Sequence, residues 1–350
     1  MKPRSGTRGG RRRKRIVWAR WSNQRLLGVR ICDLGVDWRG TWLERRVRAV
    51  EQELDRRGLR LRPHVWLSQE WFSPDGVPGV AIPFYLAHPR LMRLERSKLL
   101  EVEGGTREEC TRILRHEFGH AIQHAFQLQR RRGYQQLFGR SSKRYPEHYR
   151  PNPASRRYVH HLRLNYAQSH PDEDFAETFA VWLQPRAVWR KRYAGWPALR
   201  KLEYVDRLMS ELRGEIPPVR TRRQVEPVRR LRIRLRDYYE NKRRRYAVSY
   251  PDVYDRDLRR IFSDDRRHQK RELASTFLRR NRSRIRQIVS RWTGEYEFTL
   301  EQVLNEIIGR CRELKLRAGG PERQLVVDFA VLLTVNTMQS LYVRRSWIAL

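Results

Sequence analysis

Residues 106–122, Thr106-Arg107-Glu108-Glu109-Cys110-Thr111-Arg112-Ile113-Leu114-Arg115-His116-Glu117-Phe118-Gly119-His120-Ala121-Ile122, decide the architecture. Gly104-Gly105 breaks the chain ahead of them, Thr106 and Glu109 form a capping box, and Ile113, Leu114, Phe118, Ala121, Ile122 and Ala125 supply apolar faces. The pattern predicts a helix over 106–126. Residues four apart share a helix face, so His116 and His120 can offer imidazole nitrogens to one ion. Glu117 lies beside them, placed to take a proton from a water on that ion. Two neutral imidazoles with a carboxylate suit Zn2+, which needs no redox partner.

The third ligand has to come from elsewhere in the chain. A three-histidine pattern of the H-E-x-x-H-x-x-G-x-x-H kind would need glycine at 123 and histidine at 126, and the sequence has Gln123 and Phe126. Downstream, Pro171 followed by Asp172, Glu173 and Asp174 reads as the first turn of a second helix that runs until Pro185. Glu173 and Glu177 are four apart on it, so one can bind the metal while the other holds the outer nitrogen of a ligand histidine. Asp174 competes with Glu173 but is out of phase with Glu177. His124 continues the row of His116 and His120 by a further turn, which favours an outer role, and His170 is placed to cap the second helix or line the cleft.

These paired segments resemble the gluzincin arrangement of anthrax lethal factor and the Mlc titration factor group. The resemblance implies that Glu173 is the third ligand, that Glu177 supports a ligand histidine, and that Tyr166, seven residues before the ligand glutamate, faces the metal. Tyr166 could then donate its phenolic hydrogen to the oxyanion of an attacked carbonyl, or it packs under the following helix as large aromatics usually do. Over residues 26–345 the chain is more closely similar to the bacterial family named putative zinc-binding metallopeptidases, in Arg62-Pro63-His64, Ala81-Ile82-Pro83-Phe84-Tyr85, Tyr166-Ala167-Gln168-Ser169-His170 and Gly195-Trp196-Pro197-Ala198-Leu199. The function so implied is peptide-bond hydrolysis with Glu117 as general base. Its fold class is α+β, a zincin-like domain with a small sheet packed on the active-site helix.

Around the motif, apolar residues at helical spacing from Thr41 to Arg57 predict a helix, and 59–68 and 80–86 predict strands separated by a turn-rich loop. Pro83 is tolerated on an edge strand, so Val80, Ala81 and Ile82 are candidates for binding an extended peptide substrate as an added strand. An irregular loop is expected over 133–153. Residues 1–15 have the composition of a disordered basic tail, 16–216 of the metallopeptidase domain, and 217–350, beyond Pro217-Pro218, of an Arg-rich and mainly α-helical region.

Lys and Arg number 76 against 39 Asp and Glu in 350 residues, a formal charge of +37. That excess fits solvated arginines on helix faces, or a nucleic acid or other polyanion as partner, or a protease acting on nucleic-acid-bound proteins. Arginines interleaved with Tyr238, Tyr239, Tyr246, Tyr250 and Tyr254 suit stacking on nucleic acid, and equally suit amphipathic helices whose tyrosines pack. A basic module with a structural or vestigial zinc is therefore the rival reading. Three scattered cysteines exclude a disulfide framework and a Cys-based zinc site. No stretch has the character of a signal peptide or membrane span, and a cytoplasmic location is expected.

Overall fold

The computed structural model describes residues 16–146, 148–149, 151–186, 188–245, 255–342 and 348–349. The tail expected to be disordered, 1–15, lies outside them, as do Tyr246, Tyr250 and Tyr254. The Thr106 hydroxyl accepts from the Glu109 backbone N–H, opening a helix over Arg107–Phe126 that ends where Gln127 turns left-handed. This motif helix is buried along almost its entire second half. Three neighbours cover it.

The first neighbour is the helix Trp42–Arg56, capped by Thr41, whose Leu43, Val47, Val50 and Leu54 form one buried stripe. It is tied to the motif helix by Arg115, which donates from two nitrogens to the two carboxylate oxygens of Glu53 at 2.7 and 2.8 Å. The second neighbour is a two-stranded parallel sheet, β1 (His64–Ser68) and β2 (Gly79–Pro83). Phe84 to Ala87 then continue as a tight 3-10 turn, so the second strand is shorter than its apolar run suggests.

The third neighbour is the helix Pro171–Leu183, introduced by His170, whose Nδ1 accepts from the Asp172 backbone N–H. The two helices cross at Gly119. A Cβ there would lie 2.9 Å from the Ala176 Cα and 3.2 Å from the Phe179 ring, so only glycine allows this approach. The crossing brings Glu173 and Glu177 over the histidines.

Within 133–153 the expectation of an irregular loop needs correction at two places. Arg132–Leu137 is a short helix, held by Tyr134, which is fully buried against Phe138 and Phe175. His148–Tyr149 pairs antiparallel with Ile348–Ala349, a long-range contact that no local pattern announces.

Beyond Pro217-Pro218 the chain does not leave the first core at once. Val228, Leu231, Leu235, Tyr238 and Tyr239 pack into it, the last four-residue step on the helix Leu235–Arg245. The two tyrosines are thus core residues, as the amphipathic-helix alternative expects and the stacking alternative does not. A separate apolar core runs from Leu258 to Leu333, built by the helices Ala274–Thr293, Glu297–Glu313 and Glu322–Tyr342. Helix is the dominant element and the sheets are small, as the α+β class requires. Among the described residues no helix is long and apolar enough to cross a membrane.

Gly119→Ala tests the crossing. The added methyl should force the helices apart, lowering stability by about 1–3 kcal/mol and weakening zinc binding, as measured by denaturant unfolding and a chelator competition. Unchanged values for both would show that the helices do not need this distance.

Candidate metal centre

His116 and His120 project from one face of the motif helix toward Glu173, and all three are buried. His116 Nε2 lies 3.0 Å from Glu173 Oε2, His120 Nε2 lies 3.1 Å from the same oxygen, and the two Nε2 atoms are 3.1 Å apart. These three are the group among the described residues whose donor atoms converge closely enough to hold an ion.

The outer nitrogen of His116 fixes the chemistry of the inner one. Its Nδ1 lies 2.9 Å from Glu177 Oε1, and the other oxygen of Glu177 accepts from the Leu162 backbone N–H at 2.8 Å. With Nδ1–H donating to Glu177, the neutral ring presents a lone pair at Nε2. Lone pairs of two imidazoles and a carboxylate oxygen then face one another in a buried space, an arrangement that needs a cation or a proton. Donors bound 2.0–2.1 Å from a tetrahedral ion stand about 3.3 Å apart, so a triangle of this size fits zinc with a small expansion.

Burial alone would push the protons off these histidines. The Glu173 and Glu177 carboxylates overcome it and raise His116 to about 10, while His120 is raised by Glu173. Glu173, although buried, is held well below the usual carboxylate range by His120 and His116. Burial pushes Glu117 up, and its Oε2 has no hydrogen-bond partner. The Ser73 hydroxyl donates to the backbone carbonyl of Glu117 at 3.0 Å and fixes this turn against the segment over β2.

Tyr166 faces the same point. Its ring centroid is 5.7 Å from that of His116, and burial, together with Glu173 and Glu117, raises its phenol well above 10, so it keeps its proton. Leu164 and Asn165, directly before it, both sit in the left-handed region at φ 58° and 54°. Consecutive non-glycine residues there are costly, and a packed environment has to enforce them. Tyr149 donates to the Leu164 carbonyl at 2.9 Å, and Leu164 packs on Gly294, in the turn between the helices Ala274–Thr293 and Glu297–Glu313 that form a second lobe around the separate core, where a Cβ would lie 3.3 Å from it.

Asp174 turns away and pairs with Lys201 at 2.5 Å, which removes it as a ligand. His124 is buried one turn beyond His120, its Nδ1 accepting from the Gly76 N–H at 3.3 Å, and burial lowers it to about 4. Val80, Ala81 and Ile82 are fully buried, and the Ala81 N–H already donates to the Phe72 carbonyl at 2.8 Å. This edge is closed by the chain itself, because residues 69–78 fold back across it, and it offers no ladder to a substrate. The cleft wall runs instead through Trp71, Phe72 and Ser73.

Sequence reasoning passed over Tyr145, whose hydroxyl donates to Glu173 Oε1 at 3.0 Å and whose ring stacks on His170 at 3.7 Å. It also passed over the role of Asp172, which receives hydrogen bonds from Gln123, Tyr134 and Ser141 and anchors the start of the glutamate helix. Tyr145 sits in a polar, proline-bearing stretch without periodicity, and its signal was only proximity to the site.

Residues 110–194 match the family model described as Putative zinc-binding metallo-peptidase. The match covers the two histidines of the motif helix, Tyr166 and the glutamate helix, the same residues that the fold brings together. Comparisons with curated proteins and with solved structures give no match.

Metal binding at this centre should release protons. Because His116 in the metal-free chain is raised above its ordinary value to about 10, zinc at neutral pH must displace its proton, and affinity should rise with pH up to that value. The same sign makes the metal-free fold less stable as pH climbs from about 6.5 to about 10, where the native state holds the proton that the unfolded chain has lost. Titration calorimetry in buffers of different ionisation enthalpy checks the first outcome, and equal heats in all buffers would contradict it.

Proposed function

We propose that this protein is a zinc-dependent metallopeptidase that hydrolyses peptide bonds with Glu117 as general base. The observation that carries the reading is Glu117 itself: a buried carboxylate, 6% exposed, with an unpartnered oxygen, lining the same cleft as the three converging donors and Tyr166. His116, His120 and Glu173 would hold the ion, and Glu177 and Tyr145 keep His116 and Glu173 in register for it.

When bound, zinc supplies Lewis acidity that brings the pKa of a water from 15.7 toward about 7. Glu117 takes the proton of the attacking water, and its raised affinity for protons suits that task. The same carboxyl then delivers the proton to the leaving amine. Tyr166, still protonated, donates to the oxyanion that forms as the carbonyl carbon becomes tetrahedral. The cleft is about 470 Å³ in volume, and the burial of His116, Glu117, His120 and Glu173 at its base strengthens these interactions.

Glu117→Gln should retain zinc and lose activity by a factor on the order of 10² to 10⁴. A comparison of new protein N-termini in cells carrying the wild type or this variant reads the outcome, and identical sets would sink the assignment. Tyr166→Phe should lower kcat about 10²- to 10³-fold with KM little changed; an equal effect on both, or none, would leave Tyr166 as a packing residue.

A further inference from the structure

One face of the small sheet is covered by chain that is neither helix nor strand. His64, Trp66 and Ser68 alternate along β1 and point away from the core that Val65 and Leu67 fill. Their polar atoms hold the backbone of residues 223–226: His64 Nε2 donates to the Arg223 carbonyl, the Trp66 indole N–H to that of Val225 and the Ser68 hydroxyl to that of Glu226, each at 2.8 Å. A Cβ on Gly79, which pairs with His64 across the sheet, would collide with the His64 ring and lie 2.8 Å from the Trp66 ring, so only a bare position seats them. Glu226 is left-handed at φ 44°, a costly state that this anchoring enforces. The segment is a fixed strap and not a loose loop.

With its carbonyls turned to the sheet, the strap and the chain at its two ends leave Arg220, Arg222, Arg223, Arg229 and Arg230 exposed. Among the described residues none of these five side chains makes an ion pair or a hydrogen bond. Arg190, Arg280 and Arg310, also exposed, are by contrast neutralised by carboxylates. The unpaired arginines border two depressions that meet at Arg222. One, of about 480 Å³, is lined by Arg60, Arg62 and Arg220 as well, and the other, of about 550 Å³, is ringed by Arg222, Arg223, Arg229 and Arg230. A water occupies about 30 Å³, so either depression takes a phosphate group with room to spare. Of the two carboxylates that line this furrow, Asp55 is already paired with Arg62 at 2.8 Å, which leaves Glu226.

We infer that this furrow is a nucleic-acid-binding surface that takes the phosphate backbone of a duplex along the strap without reading its bases. Guanidinium groups carried on fixed backbone, with no carboxylate to displace, match a linear chain of phosphates. A bilayer fits less well. Ile216, 65% exposed, is the large apolar side chain that reaches solvent at the furrow among the described residues, too little apolar area to enter a headgroup layer. The cleft at the metal centre shares none of its described lining residues with the furrow, and its eight carboxylates against two arginines repel phosphate. Nucleic acid is thus held outside that cleft. Its binding needs neither zinc nor Glu117, so it stands or falls apart from the peptidase reading.

The test is anisotropy of a fluorescein-labelled DNA duplex of about two helical turns, titrated with the full-length protein between about 50 and about 200 mM salt. Each phosphate contact contributes about 0.9 to the slope of log affinity against log salt. The fourfold variant Arg222→Gln/Arg223→Gln/Arg229→Gln/Arg230→Gln should therefore bind about tenfold or more weaker, with a slope shallower by about 3. Arg279→Gln/Arg284→Gln/Arg291→Gln/Arg312→Gln removes the same charge from exposed arginines of the second lobe and should change the slope by less than about 1. Equal losses in the two variants would overturn the furrow in favour of net charge alone. So would a furrow variant that binds as the wild type does, since binding then lies elsewhere, for instance in residues 1–15, and so would a wild type that binds no duplex. Vesicles containing phosphatidylserine are titrated alongside: a furrow variant that loses vesicle binding while its DNA slope is unchanged would make the partner an acidic membrane and sink the proposal. Should the fourfold variant not fold, Arg222→Gln with Arg229→Gln decides, with a slope change of about 2 expected and no change overturning the furrow.

Discussion

Everything at this centre depends on how closely two helices can approach. A methyl group at position 119 would meet the Ala176 backbone, and its absence lets Glu173 and Glu177 reach the histidines from the opposite side. The consequence is electrostatic as much as steric. Two carboxylates and two imidazoles are buried side by side, and their mutual cost is relieved by a shared cation or proton. The rest of the fold bears on this crossing: Arg115 and Glu53 brace the motif helix from behind, and Asp172, with Gln123, Tyr134 and Ser141, fixes where the glutamate helix begins.

How much of this was legible in the sequence follows from the range of the interactions. Caps, helix periodicity and four-residue spacings are local, and they placed Thr106, His116, His120, Glu173 and Glu177 correctly on two helices. Tyr166 was legible only through a resemblance, and its position depends on two left-handed residues that nothing in Leu164-Asn165 advertises. The β2 edge misled because the strand is buried on both faces and shows no alternation; what closes it is a loop folding back, a contact with no periodic signature. Tyr145 and Tyr296 were invisible for the same reason. One lies in an aperiodic stretch and the other is more than a hundred residues from the motif.

Charge behaves differently at two scales. The net excess of arginine is distributed over exposed faces, where ion pairs such as Arg280 with Glu272 and Glu322 are solvated and contribute little. Eight carboxylates line the cleft, and the buried ones among them, Glu117, Asp172 and Glu173, count for more in their less polarisable surroundings. A composition summed over the whole chain therefore says nothing about the polarity of the cleft.

The contact of Gly294 with Leu164 joins these threads. The turn between two helices of the second lobe rests on the strained residues that aim Tyr166, and Tyr296, two residues on, forms part of the cleft wall. The segment that carries the converging donors is thus not a self-sufficient unit with an accessory attached. Its geometry is completed from more than a hundred residues away, so sequence divergence in the C-terminal helices can reshape the cleft while His116, His120 and Glu173 stay the same.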